Sequence, residues 1–174
     1  GFGFSHRPTQ RGMQVQKVAD MWAKLMSASL GYQRFAVQGG DWGARVTARL
    51  GQVHSDKVVG IHTTSVTAPT PFMGPGTKEL SDAENAMLKQ REQWLADEGG
   101  YSHIQSTKPQ TLSYGLNDSP AGLAAWIVEK YRRWSDCDGD VEKRFTKDEL
   151  LTTVTIYWVT QSINSSTRLY YEAF

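Results

Sequence analysis

Apolar residues return along this chain with two different periods. Val18, Met21, Trp22, Leu25 and Met26 recur every three or four positions, and Gly31 follows where a helix would close. That spacing predicts an amphipathic helix with a glycine C-cap. Arg34-Phe-Ala-Val-Gln38 is short, rich in strand formers and ends at Gly39-Gly40, so it predicts a strand. A helix follows from about Gly43 to Val53, with Val46, Leu50 and Val53 on one face. Val58 to Thr64 reads as a second strand. Strand, helix and strand in that order form a right-handed parallel unit, and the helix before Gly31 would cover one face of it.

The pattern then changes. Thr70 to Gly76 is rich in Pro and Gly and predicts a linker, after which only helical periods appear. Ser81 with Glu84 makes a capping box for a helix that stops at Gly99-Gly100. Lys108-Pro109 opens a short helix. Ser119-Pro120 opens a longer one with Leu123, Ile127, Tyr131 and Trp134 along one stripe. Thr146 with Glu149 is a second capping box and launches a last helix toward Phe174. Two parallel strands alone leave their edges open, so the chain reads as the middle of a longer protein.

Composition narrows the function. With 174 residues, 39% of them hydrophobic, the chain has material for a packed core. Nineteen Lys and Arg against 18 Asp and Glu leave a net charge of +1, which argues against nucleic acid as a partner held by bulk charge. No apolar run reaches membrane-spanning length. The single cysteine, Cys137, excludes an intrachain disulfide and a cysteine-clustered metal site. Asp136-Cys-Asp-Gly-Asp140 starts like a calcium loop, but its glycine comes two places early and Lys147 stands where the bidentate Glu belongs, so it reads as a solvated loop.

One motif carries chemistry. Gly39-Gly-Asp-Trp-Gly43 lies between a strand and a helix, with small residues two positions either side of Asp41. A sharp strand-to-helix turn needs small flanks, because side chains there collide with the helix and the neighbouring strand. It raises the central side chain at the strand's carboxyl end, the nucleophile-elbow geometry. A carboxylate there attacks an sp³ carbon and forms an ester. The Trp42 N–H would then face the oxyanion as that ester is hydrolysed. The competing reading is a plain turn with Asp41 as an N-cap.

The elbow, Gly1-Phe-Gly-Phe-Ser5 before it and the Val59-Gly-Ile-His62 strand after it resemble the epoxide hydrolases of the α/β-hydrolase superfamily. The runs Gly100-Tyr-Ser-His-Ile-Gln-Ser-Thr-Lys-Pro109, Leu116 to Ala125 and Ser165-Ser-Thr-Arg-Leu-Tyr170 are similar to the lid of the microsomal type. The resemblance covers nearly the whole chain. It implies an α/β class: an α/β-hydrolase fold fragment with parallel strands and an inserted all-helical lid. Residues 1–69 would be part of the core and residues 70–174 the lid.

The resemblance also implies a mechanism. Asp41 would open the epoxide, and two lid tyrosines, Tyr101 and Tyr170 (with Tyr171 as the neighbour if the register slips), would hydrogen-bond the ring oxygen. A phenol, with a pKa of about 10, suits a poor alkoxide leaving group. Trp42 and His103 would line the pocket. Of the four histidines, His6 lies in the opening loop, His54 follows the helix after the elbow at the far edge of the sheet, His62 is inside a strand, and His103 reads as a pocket or packing residue rather than a base. The family's histidine base and its acid follow the lid, beyond Phe174, so this segment alone is expected not to turn over. Neither metal nor cofactor is implied, and the partner is a small apolar epoxide, in keeping with Trp22, Trp42, Met73, Trp126 and Trp158. Membrane attachment and a homo-oligomer stay open, and a cytoplasmic location is favoured. The alternatives are a haloalkane dehalogenase, which shares the alkyl-ester step, and a non-catalytic binding module on the same fold.

Overall fold

The computed structural model describes residues 1–65 and 79–173, and the chain divides into two compact units, Gly12–Asp97 and Gly1–Arg11 with Glu98–Phe174. The linker expected at Thr70 to Gly76 lies outside the described residues.

In the first unit, α1 (Val15–Lys24) runs into one π-helical turn at Leu25–Ser29, followed by β1 (Phe35–Gly39), α2 (Trp42–Val53), β2 (Val58–Thr63) and most of α3 (Asp82–Glu98). The two strands are parallel, as the strand–helix–strand order predicts, with Val37 opposite Ile61 and Gly39 opposite Thr63. Gly31 has φ 79, and beside it the Leu30 and Tyr32 N–H groups donate to the carbonyls of Leu25 and Met26. The buried face of α1 differs from the one its large residues predict. Ala19 and Ala23 pack on Leu50, while Met21 and Trp22 are 55% and 51% exposed. Two alanines four apart also form a stripe, and their small side chains let α1 lie close on α2.

The second unit is helical: α4 (Gly100–Thr107), α5 (Pro109–Asp118), α6 (Pro120–Trp134), a 3₁₀ turn at Val141–Lys143, α7 (Lys147–Thr160) and α8 (Ile163–Ala173). Its core joins Leu116, Leu123, Val154 and Ile163, with Trp126, Ile127, Tyr157 and Trp158 packed against them. Both capping boxes form, Ser81 with Glu84 and Thr146 with Glu149. Residues 1–11 belong here too: the Gly3 N–H donates to Ser162 Oγ at 3.3 Å, and Ser165 Oγ donates to the Gly1 carbonyl.

Two joints depart from expectation. Gly99 is right-handed helical (φ −76, ψ −16), so α4 follows α3 with one residue between them. The last expected helix is broken in two at Gln161, which adopts a left-handed conformation (φ 50, ψ 37) with its N–H on the carbonyls of Tyr157 and Trp158. That conformation costs a non-glycine residue about 1–2 kcal/mol. Burial of Ser162 and Ile163 just beyond offsets it, and α8 turns back onto α4 and α5.

The acidic loop is held by charge pairs, Asp138 with Lys143 at 3.1 Å and Asp136 with Arg144 at 3.3 Å. Within it Cys137 is buried, its thiol donating to the Arg132 carbonyl at 3.1 Å. Among the described residues no group of three or more His, Cys, Asp or Glu could hold a metal ion, and no helix is long and apolar enough to cross a membrane.

Candidate active site

The elbow is built by steric exclusion. A Cβ on Gly39 would lie 2.2 Å from the Gly43 carbonyl oxygen and 2.6 Å from Thr47 Oγ1, so only glycine lets β1 pass this close under the first turn of α2. A Cβ on Gly40 would lie 2.5 Å from Thr64 Oγ1. Gly43 is different. A Cβ there meets nothing within 4 Å among the described residues, so it is its carbonyl, approached by Gly39, that crowds the turn. Of the two small flanks, the one before Asp41 is the one sterics demand.

Asp41 occupies the crest with φ 48 and ψ −121, a region side-chain-bearing residues rarely adopt. It stands at the N-cap position of α2, yet its side chain makes no capping hydrogen bond, which removes the ground for a plain N-cap. Its carboxylate is exposed. Its backbone N–H donates to Ser65 Oγ at 3.2 Å. The exit of β2 braces that contact, with Thr63 Oγ1 and Ser65 linked by hydrogen bonds of 3.0 and 3.2 Å. Trp42 opens α2, and the Arg45 guanidinium lies 4.7 Å from its ring centroid. Such a cation–π contact contributes about 0.5–1 kcal/mol at an exposed site.

The helical unit brings the two expected phenols together. Tyr101, on the first turn of α4, and Tyr170, near the end of α8, meet edge to face with centroids 5.9 Å apart at 81°. Tyr101 also meets Trp134 at 5.0 Å and 64°, and the Lys130 ammonium lies 5.1 Å from the Tyr101 centroid. Tyr171 is 57% exposed, whereas Tyr170 is half-buried. His103 is on α4 with its side chain exposed. His54 caps the far end of α2 and pairs with Asp20 at 2.9 Å. Trp126 and Trp158 pack on the helical core, and Met73 lies outside the described residues.

Sequence reasoning missed three residues near these groups. Ser65 carries no motif; its signal was its place two residues after β2, the strand beside the elbow. Glu98 is buried and accepts from Arg133 Nε at 2.5 Å and Trp134 Nε1 at 3.0 Å. The Arg133 hydrogen bond holds its carboxyl below the usual glutamate range, with Trp134 and the Lys130 charge adding to that. Tyr157 lies close to Tyr170; burial raises its phenol above the ordinary range, and Tyr131 and Tyr170 push it the same way.

No protein-family model matches the sequence. A protein of Stigmatella aurantiaca whose name reads "Putative epoxide hydrolase" is 42% identical over 99% of this chain and 38% of its own length. Epoxide hydrolase 1 of Sus scrofa is 38% identical over 99% of this chain and 42% of its own length. The crystal structure of the juvenile hormone epoxide hydrolase of Bombyx mori superposes with a TM-score of 0.79 at 36% identity, over 99% of this chain and 40% of that one. The Aspergillus niger epoxide hydrolase gives 0.78 at 31%, over 97% and 42%. The chain spans about two fifths of the length of the curated relatives it matches. From end to end, in sequence and in fold, it is similar to the epoxide hydrolases of the α/β-hydrolase fold.

Proposed function

We propose that the protein carrying this chain hydrolyses an apolar epoxide to a vicinal diol through an ester on Asp41. An Asp41 carboxylate oxygen attacks one ring carbon. The carbon–oxygen bond breaks toward the ring oxygen, and Tyr101 and Tyr170 hydrogen-bond that oxygen and supply its proton. Water then attacks the ester carbonyl, the Trp42 N–H stabilises the oxyanion, the diol leaves as the carboxylate reforms, and the proton released from the water restores the phenol. The base that activates the water would be the histidine that follows the lid in the family, oriented by its acid. Residues 1–69 would serve as the nucleophile-bearing core and residues 70–174 as the lid.

The observation that carries this reading is the Tyr101–Tyr170 pair, 5.9 Å apart from positions at opposite ends of the helical segment. Paired phenols suit an epoxide oxygen, whereas a haloalkane dehalogenase needs N–H donors around a halide. Asp41, exposed and not spent on capping, supports the nucleophile. The test is mass spectrometry of the full-length protein quenched during turnover of an epoxide. A covalent adduct on the Asp41 peptide, absent in Asp41→Ala, is expected. Halide release from a haloalkane without diol formation would reassign the chemistry, and binding without any adduct would make the protein a binder.

A further inference from the structure

Beside the phenol pair lies a buried carboxylate that takes no part in ring opening. Glu98, the last residue of α3, is 8% exposed. One of its oxygens accepts from Arg133 Nε at 2.5 Å and the other from the Trp134 indole N–H at 3.0 Å. Both oxygens of this little-exposed carboxylate are hydrogen-bonded, which favours its charged form. Trp134 ends α6 and is 46% exposed, so packing alone constrains its ring on only part of its surface. The bond from Glu98 adds a directional constraint on its indole N–H. The ring so held meets Tyr101 at 5.0 Å, Tyr101 meets Tyr170 at 5.9 Å, and the Lys130 ammonium lies 5.1 and 5.3 Å from the Tyr101 and Trp134 centroids. Three aromatic rings thus stand in series, anchored at one end by an ion pair.

We infer that Glu98 is a positioning residue for the phenol pair: by holding the Trp134 indole N–H it sets the edge against which Tyr101 stands and so aims the Tyr101 hydroxyl. This rests on the reading that Tyr101 donates to the epoxide oxygen. Misaiming a donor by a fraction of an ångström weakens the transition state more than substrate binding, so the loss belongs in kcat rather than KM.

The experiment uses the full-length protein and an epoxide that the wild type turns over. Glu98→Ala is expected to lower kcat by about ten- to a hundredfold while KM moves less than about threefold. Glu98→Gln, which keeps an acceptor for the indole, restores most of kcat. Trp134→Phe reproduces the loss, and the Glu98→Ala/Trp134→Phe double variant is no slower than Trp134→Phe alone, because both act through one bond. An indole N–H resonance absent from the NMR spectrum of Trp134→Phe marks the bond itself. It is expected to shift in Glu98→Ala and hold its place in Glu98→Gln. An unchanged kcat in Glu98→Ala, additive losses in the double variant, or a loss in Glu98→Ala that Glu98→Gln does not recover would overturn the assignment. Tyr101→Phe separates the two levels. If it retains full activity, the parent reading fails; if it is crippled while Glu98→Ala is not, only the role of Glu98 fails.

Discussion

The backbone of Asp41 makes a prediction that does not depend on knowing the substrate. At φ 48 and ψ −121 it holds a conformation that costs a residue with a Cβ about 1–3 kcal/mol. The comparison that isolates this cost is Asp41→Gly against Asp41→Ala. Both remove the carboxylate, so any loss or gain from its charge cancels. Glycine escapes the Cβ strain but gives up about 0.5–1 kcal/mol through the greater freedom of its unfolded chain. The difference leaves Asp41→Gly the more stable by about 1 kcal/mol. With a urea dependence of about 1–3 kcal/mol per molar, the midpoint moves up by roughly 0.3–1 M. Unfolding followed by both tryptophan fluorescence and circular dichroism measures it, provided the two transitions coincide. An Asp41→Ala midpoint equal to or above that of Asp41→Gly would mean that position 41 is relaxed, and the sharp turn that presents the carboxylate would not exist. On the proposed mechanism neither variant would form the ester, so stability and chemistry are read separately.

The other predictions concern the groups around these residues. Gly39→Ala forces a Cβ to within 2.2 Å of the Gly43 carbonyl oxygen and is expected to destabilise by about 1–3 kcal/mol, as overpacking does. Gly43→Ala, whose Cβ meets nothing within 4 Å among the described residues and which has a helical backbone, is neutral or stabilising by up to about 1 kcal/mol; equal losses at both positions in urea titrations would contradict the crowding described for the elbow. Because the Arg133 hydrogen bond lowers the folded-state pKa of Glu98, its contribution is complete above the unfolded value of about 4.3 and is lost as pH falls through the folded value. The urea-midpoint gap between wild type and Glu98→Gln therefore narrows from about pH 6 to about pH 3, and a constant gap would show that the carboxyl is not held. Cys137, 1% exposed, is expected to resist a thiol reagent in the native protein and to react at once in denaturant; fast native labelling would place it on the surface instead.

What the sequence disclosed follows from the range over which each feature is determined. The elbow was legible because its cause is local: Gly39, Asp41 and the ends of one strand and one helix lie within a few residues, and no distant partner is needed to make a Cβ collide. The two capping boxes were legible for the same reason, since donor and acceptor are three residues apart. The break at Gln161 left no trace, because a left-handed glutamine has no marker in the way that Gly31 does. Its cause is the burial of Ile163 against residues of α5, α6 and α7, which no window of sequence contains. That break is also what turns α8 back onto α4 and sets Tyr170 against Tyr101. Local pattern singles out none of the seven tyrosines; the family resemblance named these two, and tertiary folding supplies the reason they can act as a pair. The Glu98–Trp134 bond joins the ends of two helices across thirty-six positions, so it too is a product of packing alone. The proposed nucleophile is therefore a property of a short segment, while the acid proposed to serve it is a property of the helical unit as a whole. A β-branched residue at Gln161, which resists the left-handed conformation, should shift Tyr170 against Tyr101, whereas Gln161→Gly should leave the pair in place, though no motif points to this position.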